Sequence, residues 1–449
     1  MLTPTPRLDR MQRSRHGRVG EHSPVGDADQ GRAKQRAFCI AALEEGDDVS
    51  ELRELLRTAG VAVVGQIIQH REKPHPNSYL GPGKLEEVKA AAKAADANVI
   101  ACDDELSPRQ ERNLEEAVGM PVVDRTSIIL DIFAGHAHSA EGKLQVELAQ
   151  LEYNMARMRG LWTHLERLGA SAAQPGIGAR GPGESQIETD RRLARNRITA
   201  LRRKLVGVSA SRATMRAERE RAHLPQIALA GYTNAGKSTL LNHLTGAEVG
   251  VRDRLFHTLD PTTRELRVNG RPYLLSDTVG FIRKLPHQVV DAFAATLHET
   301  READLILHVV DGSADEEEMT EMLRAVDETL EAVGAGERPR LLVLNKADAI
   351  DDERREELRF AHPDGMLISA VTGEGIDALG ERIEEEFRRS LRSVDLLLPY
   401  AEGARLAELH EFAGDLERTD TAEGVRVRAR LPATLAERYA RYSVNGTPA

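Results

Sequence analysis

Eight consecutive residues have the spacing of a phosphate cradle. Gly231-Tyr232-Thr233-Asn234-Ala235-Gly236-Lys237-Ser238 reads G-x-x-x-x-G-K-S. In such a loop the glycines let backbone N–H groups turn inward onto phosphate oxygens. Lys237 is placed to reach the β- and γ-phosphates, and the Ser238 hydroxyl to ligate Mg²⁺. An apolar run from Ile227 precedes the loop and reads as a buried strand, while Thr239-Leu240-Leu241 opens a helix. The helix N-terminus adds positive partial charge where an anion would sit. A Gly-rich turn without a ligand is the competing reading, and strand, loop and helix in this order argue against it. Alone, the loop specifies a nucleotide but not its base.

Further motifs supply the base and the γ-phosphate. The apolar strand Leu341–Leu344 runs into Asn345-Lys346-Ala347-Asp348. A carboxylate at Asp348 can accept from N1–H and the 2-amino group of guanine. Adenine offers neither donor, and a site built on such bonds strongly rejects the analogue that lacks them. Ser369-Ala370-Val371 follows another short strand and fits a loop closing over the guanine. Asp277-Thr278-Val279-Gly280 ends a strand as D-x-x-G. Asp277 is expected to hold Mg²⁺ through water, and the Gly280 N–H to face the γ-phosphate. Phe256-His257-Thr258-Leu259-Asp260, continuing to Arg264, is expected in the loop before a strand. That is where a first switch belongs, with Thr258 preferred as a second hydroxyl for Mg²⁺. A plain polar turn is the alternative, since Asp260-Pro261 is turn chemistry.

These motifs, with Gly181-Pro182-Gly183-Glu184-Ser185-Gln186 running on to Arg192, resemble the HflX family of ribosome-associated, translation-factor-like GTPases. The resemblance spans about Phe38 to Arg388. It implies hydrolysis of GTP to GDP and phosphate, with Mg²⁺ as cofactor and Lys237, Thr258 and Gly280 as the catalytic set. It implies association with the large (50S) ribosomal subunit and its rRNA, as a splitting or rescue factor under stress. Phe281 follows D-T-V-G where a water-orienting Gln would be useful, so hydrolysis is expected to be slow alone and stimulated by the ribosome. Asn234 resembles the P-loop asparagine of potassium-stimulated GTPases, which makes K⁺ a second candidate ion. A simple loop-capping Asn is the other reading.

The rest of the chain must position these parts. It has 449 residues, 41% hydrophobic and 30% charged, as expected of a soluble multidomain protein. Apolar runs fall short of the ~18 residues of a membrane span, and the N-terminus lacks the apolar core of a signal peptide. A cytoplasmic monomer is expected, with partial association with a membrane surface admitted. Cys39 and Cys102 lie in apolar runs and read as reduced core residues. Net charge is −11, yet Arg157–Arg221 carries fifteen Lys and Arg against six Asp and Glu. A local basic stripe on an acidic chain suits a phosphate-rich partner, although charge runs are more often solvated helix faces.

The expected architecture is α/β and multidomain. A disordered basic tail occupies 1–36 and a small, mainly parallel α/β domain 37–139. Leu144, Leu148, Leu151, Met155 and Met158 then recur at helical spacing. They begin a helical hairpin over 140–223 with a Gly-rich link at 174–183 that contains Arg180. The resemblance implies that this hairpin reaches rRNA near the peptidyl transferase centre. A doubly wound P-loop GTPase sheet is assigned to 224–390, and a small C-terminal domain of unstated role to 391–449. Within the first domain, His75–Lys84 is a loop opening a helix, and a structural or ribosome-contacting role is favoured over a second nucleotide site.

Three classes of function fit a P-loop: a GTP-driven ribosome switch, a GTPase acting on another RNA or RNA–protein partner, and a metabolic kinase. Intact N-K-x-D and D-x-x-G motifs argue against the third.

Overall fold

The computed structural model describes residues 35–44, 48–71, 73–170, 182–221, 224–247, 255–256, 262–284, 294–412, 414–431 and 433–444. The tail expected over 1–36 therefore lies almost wholly outside the described residues. So does the body of the Gly-rich link, including Arg180. The chain divides into two compact units that part at Arg202 within a long helix.

In the first unit, strands β1 (Arg36–Leu43), β2 (Ala62–His70), β3 (Val99–Cys102) and β4 (Val122–Asp124) form one parallel sheet in the order β2-β1-β3-β4. The crossovers are α1 (Ser50–Thr58), α2 (Pro82–Ala94) and α3 (Pro108–Val118). Leu52, Leu55 and Leu56 bury one face of α1. Ser107 starts α3 with a reciprocal capping box to Gln110, and Pro108 occupies the first turn. Cys39 and Cys102 are free and buried, and burial pushes the Cys39 thiol up to about 12.

One helix was not anticipated. Strand β4 runs directly into α4 (Arg125–His136), capped by Asp124. It is buried nearly all round, from Arg125 through Phe133, so it shows no amphipathic period. Arg125 is fully buried and paired with Glu51 and with Asp103 at 2.9 Å.

Two long helices follow, α5 (Ala140–Ala170) and α6 (Pro182–Arg221). Helix α6 starts before Gly183, so the last residues of the expected link are helical. The buried stripe of α5 also differs from the expected one. Val146, Ala149 and Tyr153 are buried with Leu148, while Leu144, Leu151 and Met155 are half-buried. The helix packs against both α3 and α4, which widens its inner face. Arg157, counted in the basic stripe, is structural. It donates to Glu111 (2.8 Å), Asp124 (2.7 Å) and the Leu106 carbonyl (2.8 Å), and covers the Tyr153 ring. Burial still lifts the Glu111 carboxyl to about 7 despite this partner.

The 75–84 loop is tied down from several sides. His75 and Tyr79 exchange backbone hydrogen bonds, and the Tyr79 hydroxyl donates to Asp104 at 2.5 Å and accepts from Ala42 N at 2.9 Å. Gln110 holds the His75 carbonyl and Asn113 that of Asn77.

The second unit contains a six-stranded sheet. Its strands are β5 (Gln226–Gly231), β6 (Thr262–Val268), β7 (Arg271–Asp277), β8 (Leu305–Asp311), β9 (Arg340–Asn345) and β10 (Met366–Leu367). Their order is β10-β9-β8-β5-β7-β6, parallel except for β6. Helices α7 (Lys237–Thr245), α8 (Ala294–Glu302), α9 (Glu316–Ala332), α10 (Asp352–Ala361) and α11 (Ile376–Ser390) accompany it. The central strands are mostly apolar, as a sheet covered on both faces requires, with His308 the polar exception in the middle of β8. Strand β6 begins at Thr262, so Thr262, Thr263 and Arg264 are sheet residues rather than loop. A smaller antiparallel sheet ends the chain: β11 (Arg392–Leu398), β12 (Gly414–Thr421) and β13 (Gly424–Leu431) in the order β11-β13-β12, with α12 (Gly403–Phe412) and α13 (Ala433–Tyr439).

His308 lies in the middle of β8, and its Nε2 has no hydrogen-bond partner among the described residues. Burial lowers its pKa to about 4. The folded protein thus keeps it neutral, while the unfolded chain protonates near the ordinary 6.5. Stability from this group is fully present above pH 6.5 and is lost as the pH falls toward 4, on the order of 3 kcal/mol. Urea midpoints of wild type and His308→Gln should therefore diverge in pH dependence over that window, with the variant falling less steeply.

Candidate functional site: a nucleotide pocket at the carboxyl ends of the strands

The phosphate loop leaves β5 at Gly231 and enters α7 at Lys237. Gly236 has φ +92°, and a Cβ there would lie 2.2 Å from Asn345 Nδ2. Only glycine permits both the backbone and the close approach. Asn234 takes a left-handed φ of +62°, which Asn tolerates better than most residues.

The loop is fastened to the segment after D-x-x-G. Thr233 N donates to Phe281 O (2.8 Å), Phe281 N to Gly231 O (3.1 Å), and Arg283 N to the Tyr232 hydroxyl (2.9 Å). Phe281 is a core residue, 1% exposed. Its side chain is thus committed to packing, in line with the missing water-orienting group. Gly280 lies between Thr233 and Lys237: a Cβ would be 2.7 Å from Thr233 Cγ2 and 3.2 Å from Lys237 Nζ. Thr278 and Val279 are buried, and the Thr278 hydroxyl donates to Leu229 O, which leaves backbone groups to face a ligand.

Lys237 is buried and donates to the Gly231 and Tyr232 carbonyls at 2.9 and 2.7 Å. Burial lowers its pKa to about 8, against the opposing pull of Asp277. A cation so poorly hydrated is a strong site for phosphate oxygens. Beside it, Ser238 Oγ donates to Asp277 Oδ2 at 2.6 Å. A hydroxyl and a buried carboxylate converging there form an all-oxygen donor set, which suits a hard cation such as Mg²⁺. The residues present therefore fit that ion. His257, Thr258, Leu259 and Asp260 lie outside the described residues, while Phe256 is buried with φ +56°.

The base end is built on Asn345. Its Nδ2 donates to Ala235 O and its Oδ1 accepts from Ala370 N, both at 2.9 Å. One side chain thus joins the phosphate loop to the loop after β10. Lys346, at φ +68°, reaches Asp311 Oδ2 at 2.5 Å. Ala347 N donates to Ile368 O, and the exposed Asp348 accepts from Ser369 Oγ at 2.5 Å. Ser369 and Ala370 are buried, whereas Val371 is 72% exposed. Asp311, Arg355 and Glu374 also hold these loops, although no sequence motif marks them. They belong to no fixed-spacing motif and meet the site only through the fold.

A parallel sheet with a G-x-x-x-x-G-K-S cradle, a D-x-x-G segment beside its lysine and an N-K-x-D loop at the same edge defines a P-loop GTPase. Comparison with known proteins agrees. Residues 46–134 match the GTP-binding GTPase N-terminal family, 136–219 the GTP-binding GTPase Middle Region, and 226–346 the 50S ribosome-binding GTPase family. The chain is 45% identical to GTPase HflX of Lacrimispora saccharolytica over 88% of this chain and 93% of that relative. It is 44% identical to GTPase HflX of Escherichia coli K12 over 86% and 90%. A GTP-binding protein from Sulfolobus solfataricus in complex with GDP is 25% identical, covering 78% of this chain and 98% of that one, with TM-score 0.40. The chain belongs to the HflX family: it is a GTP-binding protein that hydrolyses GTP, of a ribosome-binding class of GTPases.

Asn345→Ala removes both ties at once. Each buried bond contributes about 1–3 kcal/mol once its partner is stranded. GDP affinity measured by calorimetry should fall by about 10- to 100-fold, with little change in far-UV circular dichroism.

Proposed function

We propose that this GTPase binds the large ribosomal subunit, and that its nucleotide state sets how long its arginine-bearing hairpin stays on ribosomal RNA. The observation that carries this reading is the division of α6 into two faces. Ala194, Ile198 and Leu201 are buried, while Arg192, Arg195, Arg203 and Lys204 are exposed. Arg197 and Arg202 pair with Glu147 and Glu152 of α5, so part of the basic run stabilises the hairpin and the remainder is available. Exposed guanidinium groups at helical spacing suit a phosphate backbone. The family description of residues 226–346 as a 50S ribosome-binding GTPase supports the same partner.

Hydrolysis of a phosphoanhydride is mostly positioning and charge neutralisation. Lys237 stabilises charge developing on the β/γ oxygens, together with the loop N–H groups. Ser238 and Thr258 would hold Mg²⁺, with Asp277 acting through water, and the ion would supply further charge neutralisation when bound. The Gly280 N–H faces the γ-phosphate, and Thr258 orders the first switch until that phosphate leaves. Asp348 reads guanine. With Phe281 packed in the core, turnover is slow until the ribosome completes the site. Asn234 would hold K⁺, which would stimulate turnover. On the ribosome the protein acts as a splitting or rescue factor.

Sedimentation with purified 50S subunits tests this reading. Binding should be stronger with a non-hydrolysable GTP analogue than with GDP, should weaken steeply with salt, and should fall at least about tenfold in Arg192→Glu/Arg195→Glu/Arg203→Glu. Binding that ignores nucleotide and salt would refute it, and equal binding to unrelated RNA would favour the general RNA partner. Asp348→Asn should exchange GTP for XTP as the preferred substrate, because xanthine presents a carbonyl where guanine has its amino group. Turnover in K⁺ and Na⁺ should differ if Asn234 holds a monovalent ion.

A further inference from the structure

The two loops expected around the base are held by a residue outside every motif. Arg355 lies in the first turn of α10, a helix fixed at its start by Asp351, which accepts from Arg354 N at 2.9 Å. Its Nη1 donates to Glu374 Oε1 at 2.7 Å, and its Nη2 to Glu374 Oε2 at 3.1 Å. The same Nη2 donates to the Ala347 carbonyl at 2.7 Å. Ala347 immediately precedes Asp348 in a single 3₁₀ turn, Ala347–Ala349. Glu374 in turn closes the other loop: its carbonyl accepts from Ser369 N at 2.9 Å, and Ser369 Oγ donates to Asp348. The circuit Asp348–Ser369–Glu374–Arg355–Ala347 is therefore closed.

We infer that Arg355, through Glu374 and the Ala347 carbonyl, is a positioning residue for guanine specificity. An ordinary surface ion pair contributes little. This one is bidentate and also clamps a backbone carbonyl, so it fixes orientation as well as distance. Asp348 is itself exposed and sits on a short turn. Its carboxylate discriminates only when held in the plane of the base. Removing Arg355 leaves the carboxylate in place but frees the turn that aims it. The expected loss is thus in discrimination more than in phosphate binding or chemistry.

This inference rests on Asp348 reading guanine. The test measures GDP and IDP affinities by calorimetry, since inosine lacks only the 2-amino group. Arg355→Ala and Glu374→Gln should each weaken GDP by about three- to tenfold and weaken IDP less, so that the GDP-over-IDP preference contracts toward that of Asp348→Ala. Arg355→Lys, which keeps charge but cannot make the fork, should lie between wild type and Arg355→Ala. With GTP, KM should rise and kcat at saturation should hold, as for loss of uniform binding. Should Asp348→Ala contract the preference while Arg355→Ala and Glu374→Gln leave it unchanged, the positioning role is wrong and the guanine reading survives. Should Asp348→Ala itself leave the preference intact, the guanine reading fails first. Glu374→Gln keeps the side-chain shape and serves if Arg355→Ala does not fold.

Discussion

The site depends on one amide. Asn345 spans from the Ala235 carbonyl to the Ala370 N–H, and so binds together loops that leave β5, β9 and β10. The span is possible because Gly236 has no side chain in its path. Both bonds go to backbone atoms, so they fix where the loops run rather than which side chains they carry. A ligand with phosphates at one end and a base at the other meets a single framework, not two independent pockets. Buried bonds of this kind are costly to break because the stranded partner cannot recover water.

Two different uses of positive charge follow from two different environments. Lys237 is dry, and its desolvation lowers its pKa to about 8 beside the buried Asp277. In that setting one charge interacts strongly with phosphate at short range. The arginines of the outer α6 face are wet, so each acts weakly, is screened by salt, and matters only in number. Arg125 and Arg157 are a third case. In the first unit Arg125 is buried and Arg157 partly buried, each with carboxylates at hydrogen-bond distance, and they hold elements in place. Counting charge along the chain cannot separate these roles. Burial does.

The motifs proposed to form the nucleotide site were legible in the sequence because their spacing is local. Phosphate needs inward N–H groups on a tight turn, and that requirement appears as glycines at fixed spacing from a lysine and a serine. Asn345, Lys346 and Asp348 announce themselves in the same way, at the end of an apolar strand. Strands β5 and β9 were readable as apolar runs, and α1 as a helix with one leucine face. Helix α4 was not, because a helix buried on all sides has no period to detect. The antiparallel strands β11 and β12 were missed for a related reason, since charged residues break up their pattern, Arg392 and Asp395 in β11 and Asp415, Glu417, Arg418 and Asp420 in β12.

What the sequence determined by itself was which groups are proposed to meet phosphate, metal and guanine, since each proposal rests on neighbours a few residues away. What only the tertiary structure decided was how those groups are held. Arg355 and Glu374, nineteen positions apart, form a clamp under the base loop. Phe281 is committed to the core, and Asn345 reaches back 110 residues to Ala235. These contacts join segments distant in the chain, and their partners are mostly backbone atoms, whose positions no side-chain pattern records.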